Sequence, residues 1–122
     1  MTERVATLTA AIPARERLIL ALDVGGIDEG KRWVERLGDA VHFYKLGLQF
    51  LMTGHYFEMV DWLAAQGKRI FADIKFYDIP ETVRQAVAEL AHRPVDFATV
   101  HGTGSMLEAA VAAKGRLKIL AV

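Results

Sequence analysis

The hydrophobic residues of this chain fall into two kinds of pattern that alternate along its length. Short runs such as 18–22 and 117–122 are largely apolar at consecutive positions, which is typical of parallel strands buried on both faces. Longer stretches between such runs, for example 29–37, carry apolar residues at helical spacing and are followed by a glycine, a residue that commonly terminates helices. The pattern therefore predicts strands and helices in strict alternation.

The predicted elements are five strands and four helices. Strands are expected at 18–22, 40–46, 69–75, 95–101 and 117–122, and helices at 29–37, 50–65, 81–92 and 105–113. We expect Asp28 to cap the first helix, with Trp33 on its apolar face, and Pro80 to suit the first turn of the third. Gly54 leaves the start of the second helix open. Residues 1–16 are expected to form an N-terminal arm or a weak helix.

Strands and helices that alternate in this way form right-handed βαβ units around a parallel sheet. We therefore predict a single α/β domain over residues 1–122, long enough for a modest core. No helical pattern follows the predicted strand at 117–122, and a parallel strand is seldom left uncovered. The expectation is that the chain was cut there or that a partner supplies the rest of the fold.

Composition narrows the possible functions. The 15 basic and 15 acidic residues cancel, whereas binding to nucleic acid or to an anionic membrane requires a basic excess, so neither partner is expected. The chain has no cysteine, which excludes disulfide and thiolate chemistry and fits a cytoplasmic protein. No apolar run approaches the roughly 20 residues that span a bilayer, and the N-terminus lacks the apolar core of a signal peptide.

Charged residues gather where the predicted strands end. Asp23 follows the first strand, Lys45 lies near the end of the second, and Asp73 and Lys75 close the third. Each shares the parity of apolar residues lower in its strand, so all four should face one side at the edge where parallel folds bind ligands. Asp78 follows where the chain should turn into a helix. Because burying charges is costly unless they pair or serve a purpose, this alternating array indicates a functional site.

Each charge also has a structural explanation when it is considered alone. Asp23 could cap the turn after its strand, Lys45 could extend towards solvent at the rim, and Asp78 could cap the following helix. His101, just before Gly102, is more simply structural than catalytic. The functional interpretation therefore depends on the set of charges and not on any single one.

The segment 73–82, Asp-Ile-Lys-Phe-Tyr-Asp-Ile-Pro-Glu-Thr, resembles the orotidine 5′-phosphate decarboxylases. The resemblance extends to Leu-Ala-Leu-Asp at 20–23, Tyr-Lys-Leu-Gly at 44–47 and Val-His-Gly at 100–102. It covers nearly all of the chain after Arg17. The Asp-x-Lys-x-x-Asp-Ile-Pro pattern is specific, and the shorter pieces, weak alone, fall in the order that the family requires.

This resemblance implies a TIM (β/α)8 barrel, of which the chain holds about the first half, strands 1 to 5 and helices 1 to 4. It also implies a homodimer that converts orotidine monophosphate to UMP and CO₂ in pyrimidine biosynthesis, without metal or organic cofactor. Matched by position, Lys75 would stabilise and protonate the carbanion, and Asp73 would lie beside the substrate carboxylate. Asp78 would reach across the dimer interface into the neighbouring subunit's site.

The same matching implies a substrate-binding set of Asp23, Lys45, Ile79 and Thr82, with Asp23 and Lys45 at the ribose. In the family, the phosphate and much of the pyrimidine are held by residues from strands five to eight. This chain stops inside the fifth predicted strand. We therefore expect it to carry the charged residues and to lack those that bind the phosphate.

Three other interpretations stay open. Sugar-phosphate decarboxylases of the same superfamily share the Asp-x-Lys-x-x-Asp pattern but use magnesium, with an acidic residue where this chain has Lys45, and a cation disfavours a metal there. A receiver-type signalling domain would use Asp23 and Asp73, although Gly25 and Gly26 stand where more acid is expected. The third is a catalytically silent half-barrel that pairs with itself through its first and fifth strands.

Overall fold

The computed structural model describes residues 11–122, which form one five-stranded parallel sheet with helices between the strands. The strands are β1 (Ile19–Ala21), β2 (Phe43–Leu46), β3 (Arg69–Phe76), β4 (Phe97–Val100) and β5 (Lys118–Ala121). The α-helices are α1 (Ile27–Leu37), α2 (Leu48–Leu51), α3 (Tyr56–Ala65), α4 (Pro80–Leu90) and α5 (Gly104–Ala113), with 3₁₀ turns at Ala14–Glu16 and Gly38–Ala40. All five predicted strands are confirmed, most of them shorter than predicted.

The strands lie side by side in chain order, β1-β2-β3-β4-β5, and every neighbouring pair is parallel. This is the order of a barrel wall, in which each new strand is added beside the one before it. A receiver-type domain is excluded, because its doubly wound sheet has the order 2-1-3-4-5. The predicted α/β fold, with parallel strands that follow one another in chain order as in a barrel, is therefore confirmed.

The two faces of the sheet carry different side chains. On one side of β2, Tyr44 and Leu46 are fully buried, as part of the core that the strands form with the helices. On the other side Phe43 stacks on Phe97 of β4, with ring centroids 5.4 Å apart, and Phe97 meets Phe71 of β3 edge-on at 5.9 Å. This second face is the interior side of a barrel, and its aromatic residues form a layer below the charged strand ends.

Part of the predicted N-terminal arm lies outside the described residues. Of residues 1–16, only 11–16 belong to the part of the chain that the structure describes, and they include the 3₁₀ turn Ala14–Glu16. Glu16 Oε2 lies 3.9 Å from Arg69 Nη1. This ion pair connects the turn to the first residue of β3.

Two details predicted for the first helix are wrong. Its N-cap residue is Gly26, so Asp28 lies within the first turn instead of capping it. A carboxylate in that turn still opposes the positive end of the helix dipole. Trp33 is 43% exposed and not buried on the apolar face, and the Arg36 guanidinium lies 5.7 Å from its ring centroid.

The single helix predicted over residues 50–65 is divided into α2 and α3. Gly54, between them, has a φ of +79°, a conformation that glycine adopts without steric cost. Thr53 Oγ1 donates to the Phe50 carbonyl at 2.7 Å and accepts from the His55 N–H at 3.2 Å. The Thr53 hydroxyl thus gives the His55 N–H, just before α3, a partner where the helix is interrupted.

Candidate active site

β3 brings Asp73 and Lys75 to the carboxyl edge of the sheet. Lys75 Nζ lies 2.9 Å from each carboxylate oxygen of Asp73, so the prediction that the two side chains share one side is confirmed. Asp73 is 7% exposed, whereas the Lys75 side chain is 41% exposed. The pair therefore places a buried carboxylate below an ammonium group that solvent, or a ligand, can reach.

Lys45 brings a second ammonium group to the same carboxylate. The register of β2 against β3 sets Lys45 opposite Phe71, two residues before Asp73. From there the lysine side chain reaches upwards, and its Nζ lies 3.4 Å from Asp73 Oδ2. Two cations on neighbouring strands thus share one buried anion, as the alternating charges at the strand ends predicted.

Thr99 of β4 completes this cluster, and sequence reasoning missed it. Its hydroxyl donates to Asp73 Oδ1 at 2.8 Å and accepts the backbone N–H of Lys75 at 2.9 Å. Thr99 is 5% exposed. Threonine is a common strand residue, so its type gave no signal. Its parity with Phe97, which faces the interior side, is the one feature that could have placed it here.

These contacts determine the charge state of Asp73. Burial by itself would raise the pKa of the carboxyl group, but the hydrogen bonds from Lys75 and Thr99, the charge of Lys75 and the bond from Lys45 outweigh it. The pKa of Asp73 therefore lies below its usual value of 3.8. At neutral pH the site holds a carboxylate anion between two ammonium groups.

β3 is irregular where it carries these residues. Ala72 pairs with Ala98 and Phe76 pairs with Val100, so residues 73–75 of β3 face only residue 99 of β4. Lys75 has a φ of +55°, a left-handed conformation that is uncommon for any residue other than glycine and that persists only where its surroundings enforce it. The site is therefore built on a bulge, which the regular strand predicted from the sequence did not include.

Asp23 lies beyond the end of β1 and is exposed. Its Oδ1 is 3.6 Å from the position that a Cβ on Gly47 would occupy, which places it at the start of the loop after β2. Within residues 11–122 its carboxylate has neither an ion pair nor a hydrogen bond. The structure thus brings three of the four predicted charges into contact and leaves Asp23 beside them as an exposed anion. Nothing in these contacts supports the alternative in which Asp23 caps the turn after its strand.

Asp78, Ile79 and Thr82 lie on the exposed side of the turn from β3 into α4. Asp78 Oδ1 accepts the N–H of Ile79 at 2.7 Å. Ile79 is itself the N-cap residue of α4, and no side chain caps that helix, so the capping role considered for Asp78 is wrong. In the described part of the chain, none of the three contacts Asp73 or Lys75 through a hydrogen bond or an ion pair.

His101 packs against Tyr77, with ring centroids 5.1 Å apart and ring planes at 75°. Its backbone N–H donates to the Phe76 carbonyl at 2.9 Å. These contacts hold the end of β4 against the end of β3. They support the structural interpretation of His101.

Among residues 11–122, no group of three His, Asp or Glu side chains is arranged to hold a metal ion. Lys45 stands where the magnesium-dependent alternative requires an acidic residue, and its ammonium already lies beside Asp73. The donor set therefore disfavours that alternative. In the same part of the chain, no helix has the length and apolar character needed to cross a bilayer.

Comparison with known proteins gives one consistent result. The model of the "Orotidine 5′-phosphate decarboxylase / HUMPS family" matches residues 16–122. Orotidine 5′-phosphate decarboxylases of Methylococcus capsulatus and Xanthomonas campestris are 57% and 51% identical over 111 and 113 residues, which are 91% of this chain and 46% of each relative. The crystal structure of orotidine 5′-phosphate decarboxylase from Lactobacillus acidophilus is 32% identical, with a TM-score of 0.75 over 85% of this chain and 51% of that one. The chain thus spans about half the length of the curated relatives that it matches.

Proposed function

The chain belongs to the orotidine 5′-phosphate decarboxylase/HUMPS family, and on this premise we propose that it carries the charged part of a site that decarboxylates orotidine 5′-monophosphate. The observation that carries the proposal is the Lys75 ammonium, which lies 2.9 Å from both oxygens of a buried carboxylate at the carboxyl edge of the sheet. The relatives that are 57% and 51% identical are named for this activity.

Lys75 would carry out the chemical step. The bond between the pyrimidine carbon and its carboxylate breaks, CO₂ leaves, and the electron pair stays on the carbon as a vinylic carbanion. Because this carbanion has no easy delocalisation, a fixed ammonium stabilises it as it develops, and more strongly where water is excluded. The same ammonium then donates a proton to the carbon, which gives UMP.

Asp73 would oppose the carboxylate of the substrate, since its lowered pKa keeps it ionised at neutral pH. Two like unit charges about 4 Å apart repel by roughly 4 kcal/mol at an effective dielectric constant near 20. Enzymatic rate enhancements commonly correspond to about 8–23 kcal/mol. Asp73 alone is therefore insufficient, and Lys75 together with binding energy from the ribose and phosphate must supply the rest.

Asp23 and Lys45 are assigned to the ribose. The exposed Asp23 carboxylate, which has no partner within residues 11–122, can accept hydrogen bonds from sugar hydroxyl groups. The Lys45 side chain is 29% exposed and lies 3.4 Å from Asp73. It can thus connect a bound ribose to the charged cluster.

Asp78, Ile79 and Thr82 are assigned to the site of a neighbouring subunit in a homodimer. All three are exposed, and none contributes to the cluster around Asp73 in the described part of its own chain. Asp78 lies between two apolar residues, Tyr77 and Ile79, whose exposed fractions are 73% and 66%. Exposed apolar side chains beside a functional loop are typical of an interface.

The proposed partners are small molecules, namely orotidine monophosphate and UMP. A nucleic acid or membrane partner is not proposed, because the 15 basic and 15 acidic residues leave no basic excess. A cytoplasmic location is part of the proposal, supported by the absence of cysteine.

The test is Lys75→Ala in the protein expressed from its native gene, with CO₂ release from orotidine monophosphate as the readout. Loss of the ammonium should lower kcat by at least about 10²-fold. Lys114→Ala is the matched control, since Lys114 follows α5 and is not part of the cluster, and it should retain activity. Unchanged activity in Lys75→Ala would contradict the proposal, and an inactive wild type would favour the catalytically silent half-barrel.

A further inference from the structure

The bulge in β3 leaves two groups that need to be held in place. The first is the backbone of Lys75, whose φ of +55° is one that L-residues adopt only under constraint. Its N–H lies where the regular pairing with β4 is interrupted. The second is the carboxylate of Asp73, whose side chain is 10% exposed and which needs donors to remain ionised.

The hydroxyl group of Thr99 serves both groups at once. A hydroxyl offers one donor and two acceptor positions, and here it donates to Asp73 Oδ1 at 2.8 Å while it accepts the Lys75 N–H at 2.9 Å. Thr99 faces residues 73–75 alone on one side and pairs with Leu120 of β5 on the other. Thr99, whose hydroxyl holds the bulge, is thus itself fixed within the sheet.

We propose that Thr99 is a positioning residue for the site, whose single hydroxyl fixes the left-handed backbone of Lys75 and the carboxylate of Asp73 in one arrangement. Without it, the partly buried Lys75 N–H loses its partner, and the peptide can turn towards a regular strand. The ammonium would then move relative to Asp73. Misplacement of a reacting group by about 1 Å can cost about 10²-fold in rate.

The experiment compares Thr99→Val with Thr99→Ser in the protein expressed from its native gene. Valine has nearly the same shape and forms neither hydrogen bond, whereas serine can form both. Thr99→Val should lower kcat for orotidine monophosphate by about 10–10²-fold and change KM much less. Because Asp73 loses a donor, the acidic limb of the kcat/KM profile should move to higher pH. Thr99→Ser should keep the rate and the pH profile of the wild type.

The activity readouts rest on the proposed function, so a crystal structure of Thr99→Val provides an independent one. It should show Lys75 outside the left-handed region or its Nζ displaced by about 1 Å or more from Asp73. Unchanged geometry together with unchanged kcat would overturn the inference. If the wild type does not decarboxylate the substrate but Lys75 is displaced in Thr99→Val, the proposed function fails and the inference stands. Should Thr99→Val not fold, Thr99→Ala removes the same hydroxyl and is judged by the same criteria.

Discussion

At the scale of single residues, the site is organised around one carboxylate. Asp73 accepts bonds from Lys75 at 2.9 Å and from Thr99 at 2.8 Å, and Lys45 lies 3.4 Å away. A buried charge is tolerated when it is paired and its lone pairs are satisfied. Asp73 meets both conditions. The residue that pairs with it most closely, Lys75, adopts a strained left-handed backbone conformation.

Stability at acidic pH depends on this carboxylate. The pKa of Asp73 in the folded protein lies below 3.8, since the surrounding bonds and charges outweigh burial. Its contribution is therefore present above the unfolded pKa and is lost as the pH falls through the folded one. Asp73→Asn should be less stable than wild type at pH 7 by about 1–3 kcal/mol and should lose less stability between about pH 5 and pH 3. Urea unfolding at several pH values measures both, and equal losses in the two proteins would contradict the prediction.

Tyr44 presents the opposite situation, a buried polar group without a partner. Within residues 11–122 its hydroxyl makes no hydrogen bond, whereas the Tyr56 hydroxyl donates to the Leu46 carbonyl at 2.7 Å. Tyr44→Phe should therefore leave stability unchanged or raise it by up to about 1 kcal/mol, and Tyr56→Phe should lower it by about 1–2 kcal/mol. Urea unfolding of the two variants compares them directly. A larger loss in Tyr44→Phe would show that its hydroxyl is paired.

The sequence alone allows some residues of this site to be predicted from their type, and not others. Asp73, Lys75 and Lys45 could be predicted because charges in apolar strands are costly and therefore informative. The residue type of Thr99 gave no such signal, since threonine is favoured in strands for its shape alone, and parity with Phe97 indicates only the face on which it lies. The partners of its hydroxyl depend on a bulge, and no periodic pattern encodes that bulge.

At the scale of elements, the edge that carries the site depends on the close approach of β4 and β5. A Cβ atom on Gly102, just after β4, would stand 2.7 Å from the Cβ of Ala121 in β5. The Gly102 N–H donates to the Val122 carbonyl at 3.1 Å. Glycine at this position therefore allows the two strands to stay paired up to their ends.

Gly102→Ala should separate the ends of β4 and β5, because the added methyl group meets backbone-anchored atoms that cannot rotate away. The expected loss of stability is about 1–3 kcal/mol. Gly25→Ala is the matched control, since a Cβ there meets nothing within 4 Å, and it should change stability by less than about 0.5 kcal/mol. Thermal unfolding followed by circular dichroism tests the pair. Equal midpoints for both variants would show that the strand ends adapt to the added methyl group.

The order of the elements could be predicted, whereas several of their boundaries could not. Strands were recognisable because continuous apolar runs alternated with helical spacing. The break between α2 and α3 depends on the left-handed φ of Gly54, and glycine in a sequence signals such a break only weakly. Asp28 is a suitable capping type, but α1 begins two residues earlier than predicted, with Gly26 as its N-cap.

At the scale of the whole molecule, the interior side of the sheet has two layers. Phe43, Phe71 and Phe97 form an aromatic layer, and the Arg69 guanidinium lies 4.6 Å from the Phe43 ring centroid. The charged cluster around Asp73 lies above it at the carboxyl edge, where barrels of this kind hold their active sites. Strict βα alternation leaves few topologies, so this arrangement could be predicted. A role for Asp78 in another subunit could not be derived from the residues, because it leaves no pattern within one chain.

The proposed assignment of Asp78 to a neighbouring subunit's site predicts complementation between inactive variants. In a dimer of Lys75→Ala with Asp78→Asn, one site carries both changes and the other carries neither. Random pairing makes half of all dimers mixed, so co-refolded variants should recover about a quarter of wild-type activity. Lys75→Ala with Asp73→Asn is the matched control and should recover nothing, since both residues are proposed to act in their own subunit's site. If the Asp78→Asn mixture also stays inactive, Asp78 does not act across an interface and its assignment to the partner's site is wrong.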